Sequence, residues 1–81
     1  MNATSRSGNE VDRALASVKR ALDQLIDLLR HPNEAVRAGA ADALRGLDPP
    51  PVWDLIGALI KARDMGFRVE IIRVLGGLGE A

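Results

Sequence analysis

Shifted by 31 residues, the chain aligns its second half on its first without a gap. Leu22 falls on Trp53, Asp23 on Asp54, Leu25 on Ile56, Leu28 on Leu59 and Leu29 on Ile60. Beyond the turn, Val36-Arg37 falls on Phe67-Arg68, Ala40 on Ile71, Ala43 on Val74, Leu44 on Leu75 and Gly46-Leu47 on Gly77-Leu78. Two unrelated amphipathic stretches would match at apolar positions alone. Here a turn, an arginine and a terminal Gly-Leu match as well. A unit of this length cannot bury its apolar side by itself, so the repeat predicts two units stacked on each other.

The units are predicted to be helical. Ala and Leu are abundant, while the 81 residues hold one Trp, one Phe and no Tyr, a composition that suits helix and not sheet. Residues 1–8 are small and polar and read as a disordered tail; the domain is expected over 9–81, with units at about 9–47 and 48–79. Asn9 is a candidate cap for a long first helix, about 10–30, in which Val11, Leu15, Val18, Leu22, Leu25 and Leu29 recur every three or four residues. Ala14, Ala21, Ile26 and Leu28 widen that stripe, which predicts a core role, and its 3.5-residue spacing also suits pairing with another helix. His31-Pro32 stops it.

Asn33 is expected to cap a second helix with Val36, Ala40, Ala43, Leu44 and Leu47 on its inner side. Its other side carries Glu34, Arg37, Ala38, Ala41, Asp42 and Arg45. Gly39 and Gly57 are expected at close helix contacts. Asp48-Pro49-Pro50-Pro51 forms a stiff connection. A third helix, about 51–63, is expected to bury Val52, Trp53, Leu55, Ile56, Leu59 and Ile60. Asp64 then caps a fourth, about 65–77, with Phe67, Ile71, Val74, Leu75 and Leu78 inside, and Gly76, Gly77 and Gly79 fray or end it.

The run Leu28-Leu29-Arg30-His31-Pro32-Asn33-Glu34-Ala35-Val36-Arg37, followed by Ala40-Ala41-Asp42-Ala43-Leu44-Arg45-Gly46-Leu47, resembles a short HEAT-type repeat. The compact variety of the phycobilin-lyase-like HEAT proteins is the nearest. Leu59 to Gly79 resembles the same pattern more loosely, so the resemblance covers about residues 20–81. It implies an all-α fold, a four-helix α-solenoid fragment of two helix-turn-helix repeats with a long first helix. In that family an acidic residue six positions before the helix arginine helps join neighbouring repeats; here those positions are His31 and Ala62.

Chemistry finds little support. No cysteine is present, which removes thiolate metal sites and a cysteine nucleophile. His31 is the only histidine, and Ser17 shares a helix side with Arg20, which stays protonated and cannot serve as a base. No enzymatic activity, cofactor or metal is therefore expected. Eleven basic residues balance eleven acidic ones, so the basic surplus a nucleic-acid binder needs is missing. No apolar run approaches the length of a membrane span, and a soluble, cytoplasmic protein is expected.

The fourth helix is apolar nearly all round. Val69 and Ile72 fall where the second helix has Ala38 and Ala41, and such a helix is normally covered. A second copy forming a homodimer, a different protein, or the long first helix folding over the edge could each supply the cover. Arg37 and Arg68 hold equivalent positions and could either read an acidic partner or bridge neighbouring units through carbonyls or acids. The expected function is protein–protein interaction, as adaptor or by self-association, through Val69, Ile72, Arg68 and Arg73 with Arg37 and Arg45 extending the surface. The alternatives are a lyase- or chaperone-like helper that cradles a chromophore or cofactor, implied by the resemblance alone, and a two-repeat piece of a longer solenoid.

Overall fold

The structure is a computed structural model that describes the backbone of residues 2–78 and the side chains of residues 9–78. Four helices follow one another: α1 (Asn2–Leu28), α2 (Glu34–Arg45), α3 (Val52–Lys61) and α4 (Met65–Leu78), with no strand among the described residues. Packing joins α1 to α2 and α3 to α4 as two helical hairpins. The hairpins are joined to each other mainly through α2 and α4, as two stacked repeats require.

The turn inside each hairpin is written into the repeat. Asn33 Oδ1 accepts the Ala35 N–H at 2.8 Å and the Val36 N–H at 3.4 Å. Asp64, 31 residues later, accepts the Phe67 N–H on Oδ2 at 2.8 Å. Each cap satisfies amide groups that the first helical turn leaves without partners. Before α3, Pro51 is buried and its carbonyl accepts the Leu55 N–H; proline fits here because the first turn needs no donor from it.

One core runs through both hairpins: Ile26, Leu29, Ala40, Ala41, Leu44, Leu55, Phe67, Ile71 and Val74, flanked by half-buried Leu22, Leu25, Leu59, Leu75 and Leu78. Several expectations are corrected. Val11, Leu15 and Val18 are exposed, so only the last third of the α1 stripe is core. The reason is length: 27 residues of helix extend about 40 Å, whereas the 12 of α2 cover about 18 Å. The helical backbone also starts at Asn2, which leaves Asn9 inside the helix and continues it through residues 2–8, the segment read as a tail. Extending an existing helix requires no new nucleus. The protruding arm gives a radius of gyration of 15.2 Å, against about 12 Å for a compact chain of this size.

Ala41 is buried and Ala43 exposed, the reverse of the expected α2 orientation. Trp53, Ile60 and Val52 are exposed on α3, where burial was expected. Gly39 and Gly57 have open space where a Cβ would stand, so neither marks a close helix contact. The close approach is at Gly77, where a Cβ would come 2.7 Å from Nε of Arg45. α4 continues through Gly76 and Gly77 to Leu78, because half-buried Leu75 and Leu78 hold its last turn against the core; Gly79 lies outside the described residues.

This division of α1 sets a measurable contrast. Leu29→Ala and Leu44→Ala should each lower unfolding free energy by about 2–5 kcal/mol, the cost of a core cavity. Leu15→Ala on the arm should stay within about 0.5 kcal/mol of the parent. Urea denaturation followed by circular dichroism reads both.

Candidate docking surface

Equivalent positions in the two hairpins can be compared directly. Leu29 is 0% exposed, yet Ile60, its equivalent, is 76% exposed. Ala41 is 7% exposed and Ile72 is 53% exposed. These are the places where the second hairpin covers the first, and nothing among the described residues covers them on the second. The long first helix does not: α1 packs on α2, and its own Val11, Leu15 and Val18 are exposed. Met65 and Val69 are exposed too, and together with Ile72 they fall on one side of α4 at four- and three-residue spacing. Ile60 on α3 adds to them, forming a trailing apolar edge.

The six residues expected to bind a partner divide into three groups. Val69 and Ile72 stand on the trailing edge as expected. Arg37 and Arg68 are committed elsewhere. Nη1 of Arg37 donates to the carbonyls of His31 (2.7 Å) and Pro32 (3.0 Å), and Nη1 of Arg68 donates to those of Leu59 (2.8 Å) and Ala62 (3.1 Å). Each arginine ties the start of its helix to the end of the preceding one. The bridge therefore runs within a hairpin and not between neighbouring units. The carbonyl six residues back, on His31 or Ala62, takes the place that the resemblance assigns to an acidic side chain.

Arg45 and Arg73 form the third group. They line a shallow groove of about 220 Å³ between α2 and α4 with Glu34, Arg37, Ala38, Asp42 and Glu70. Arg45 pairs with Asp42 at 3.2 Å and Arg73 with Glu70 at 3.4 Å, exposed pairs that contribute at most about 1 kcal/mol. Arg45 also lies against Gly77. This groove is of mixed charge and separate from the apolar edge.

Ile60 and Met65 were missed as candidates. The 31-residue register held the signal for Ile60, since it aligns with Leu29; apolar periodicity alone assigns it to the core. A second concavity, of about 600 Å³, separates α1 from α3. Ile26, Ala58 and Phe67 line it, Trp53 stands on it 82% exposed, and the Arg30 guanidinium sits 4.0 Å from the Phe67 ring centroid. Lys19 and Asp54 bridge the two helices at 3.7 Å. Among the described residues no group of three or more His, Asp and Glu side chains is arranged to hold a metal. No described helix is long and apolar enough to cross a membrane.

A family profile described as HEAT repeats matches residues 22–81. A curated relative, "Bilin biosynthesis protein PecF" of Nostoc sp. (strain PCC 7120 / SAG 25.82 / UTEX 2576), is 39% identical over 61 residues. The match takes in 75% of this chain and 35% of the relative, so the chain spans about a third of that protein's length. No solved structure gives a significant match.

The arginine bridges and the surface pairs should separate in a stability assay. Arg68→Ala removes two charge-assisted hydrogen bonds and strands part-buried carbonyls, and should cost about 1.5–3 kcal/mol. Arg68→Lys should recover only part of it, because one ammonium does not reproduce the guanidinium fork. Arg45→Ala should cost no more than about 1 kcal/mol. Thermal melts of the three variants make the comparison.

Proposed function

The chain belongs to the HEAT-repeat proteins, and on that footing we propose that it is a non-catalytic interaction module, an adaptor or a self-associating unit, that docks a protein on the trailing edge of α3 and α4. The observation carrying the reading is the contrast between buried Leu29 and Ala41 and exposed Ile60 and Ile72. A stacking surface covered in one repeat is open in the next, and exposed apolar edges of this kind mark interaction sites. The reading includes a cytoplasmic location.

A second reading is favoured by the similarity to a bilin biosynthesis protein together with the concavity between α1 and α3. There Trp53 offers an exposed ring surface, and Arg30 and Lys61 offer charge to carboxylates. Titration with biliverdin, a linear tetrapyrrole, tests it through the fluorescence of the chain's single tryptophan, Trp53. Saturable quenching at one ligand per chain supports the cradle, and a linear, non-saturating response rejects it.

For the interaction reading, Ile72→Asp is the informative variant. Ile72 is exposed, so the substitution should leave helical content unchanged. Any species heavier than the monomer that the parent forms in sedimentation velocity, alone or with a host extract, should disappear. A variant that associates as the parent does, or that loses its helix signal, overturns the reading.

A further inference from the structure

The concavity between α1 and α3 departs from the repeat along one side of α3. Trp53, Gly57 and Lys61 follow one another there at four-residue spacing, and all three line it. Their equivalents 31 residues earlier are Leu22, Ile26 and Arg30. Ile26 is buried in the core, whereas a Cβ built on Gly57 would meet no atom within 4 Å. The backbone does not ask for glycine, since no described glycine has a positive φ. Glycine inside a helix gives up stability relative to alanine, and here no close neighbour compensates. Trp53 does not fold over the space; it stands almost fully exposed. The result is an open slot at Gly57 within the concavity of about 600 Å³. Both walls belong to described helices, so the slot lies between the two hairpins and not at an end of the stack.

We propose that Gly57 holds this slot open for an elongated conjugated acid of linked flat rings, which stacks on Trp53 at one end and pairs with Lys61 at the other. The proposal rests on the cradle reading and names the residues that size the site and select its ligand. Charge picks out the acid. Of the cations lining the concavity, Lys19 is paired with Asp54 at 3.7 Å. Arg30 is paired with Asp27 at 3.8 Å and covers the Phe67 ring. Lys61 is exposed and has no ion pair among the described residues, so its ammonium is available to a carboxylate. Asp23, on the α1 wall, is also without an ion pair among them; as an acceptor it selects for a ring that carries N–H donors. Length picks out linked rings. Trp53 and Lys61 are about 12 Å apart along the helix, more than a single ring with its acid spans.

Biliverdin and its dimethyl ester, which has no free carboxylate, test this through Trp53 fluorescence. The parent should bind the acid about tenfold more tightly than the ester, the difference made by one charge-assisted hydrogen bond. Lys61→Gln should bring the acid down to the level of the ester and leave the ester's affinity unchanged. Gly57→Leu should abolish saturable quenching by either compound, with helical content and melting temperature no lower than the parent's by circular dichroism. A Gly57→Leu variant that binds as the parent does, or that loses its helix signal, overturns the proposal, because the space is then unused or not open. Acid and ester bound equally by the parent, or weakened alike by Lys61→Gln, overturn the pairing with Lys61 and with it the choice of an acid. In each of these cases the cradle reading stands so long as the parent quenches saturably at one ligand per chain. A parent that does not quench saturably removes the cradle reading and the proposal together.

Discussion

A hairpin of two amphipathic helices has apolar surface on both of its flanks, and only another hairpin covers it. Every other feature of the structure depends on that constraint. Leu29, Ala41 and Leu44 reach full or nearly full burial because the second hairpin lies on them, and Leu55 and Val74 because the first lies beneath. With nine residues in the buried apolar core among those described, neither unit holds a core large enough to stand alone. The stack is the folding unit. Its two outer flanks are then the places where the chain either ends the array or continues it.

The chemistry of those flanks follows from single residues. Where the second hairpin fully buries Leu55, the first exposes Gln24 at the equivalent position. An amide there keeps its hydrogen bonds to water and resists being covered. On the trailing flank isoleucine stands at both positions that matter, Ile60 and Ile72, and neither has a polar group to lose. Burying what they still expose releases roughly 1–2 kcal/mol each, a gain available to any surface of the right shape. The asymmetry gives the molecule a direction that its neutral charge and even composition conceal.

Much of the architecture was legible because the repeat carries more than hydrophobicity. Asn33, Asp64, Arg37 and Arg68 have short-range partners, within nine residues, so local sequence determines them. Orientation was less legible. Periodicity shows how wide an apolar stripe is, and not which neighbour lies on which part of it. That is why Ala43 stood for Ala41 and why Trp53 and Ile60 were placed in the core. The same limit applies to Val11, Leu15 and Val18. Their spacing matches that of Leu22, Leu25 and Leu29, and only the shortness of α2 leaves them bare. The trailing edge was half read, through Val69 and Ile72, because those two depart from the small residues of α2. Ile60 escaped since its side of α3 looks the same whether or not a third hairpin covers it.

The arginine bridges explain why stacking chemistry, and not charge, has to choose the neighbour. An acid six residues before the arginine would tie side chain to side chain, and a mismatched unit would lack it. Here a backbone carbonyl accepts instead, from His31 in one hairpin and Ala62 in the other. A carbonyl is present whatever the residue, so the bridge closes its own hairpin without reference to the next, and the His31 side chain is left to accept the Asn33 N–H on Nδ1 at 3.0 Å. Between hairpins the one ion pair among the described residues, Lys19 with Asp54, is long and exposed, too weak to select a partner. Selectivity is left to the shape and polarity of the flanks.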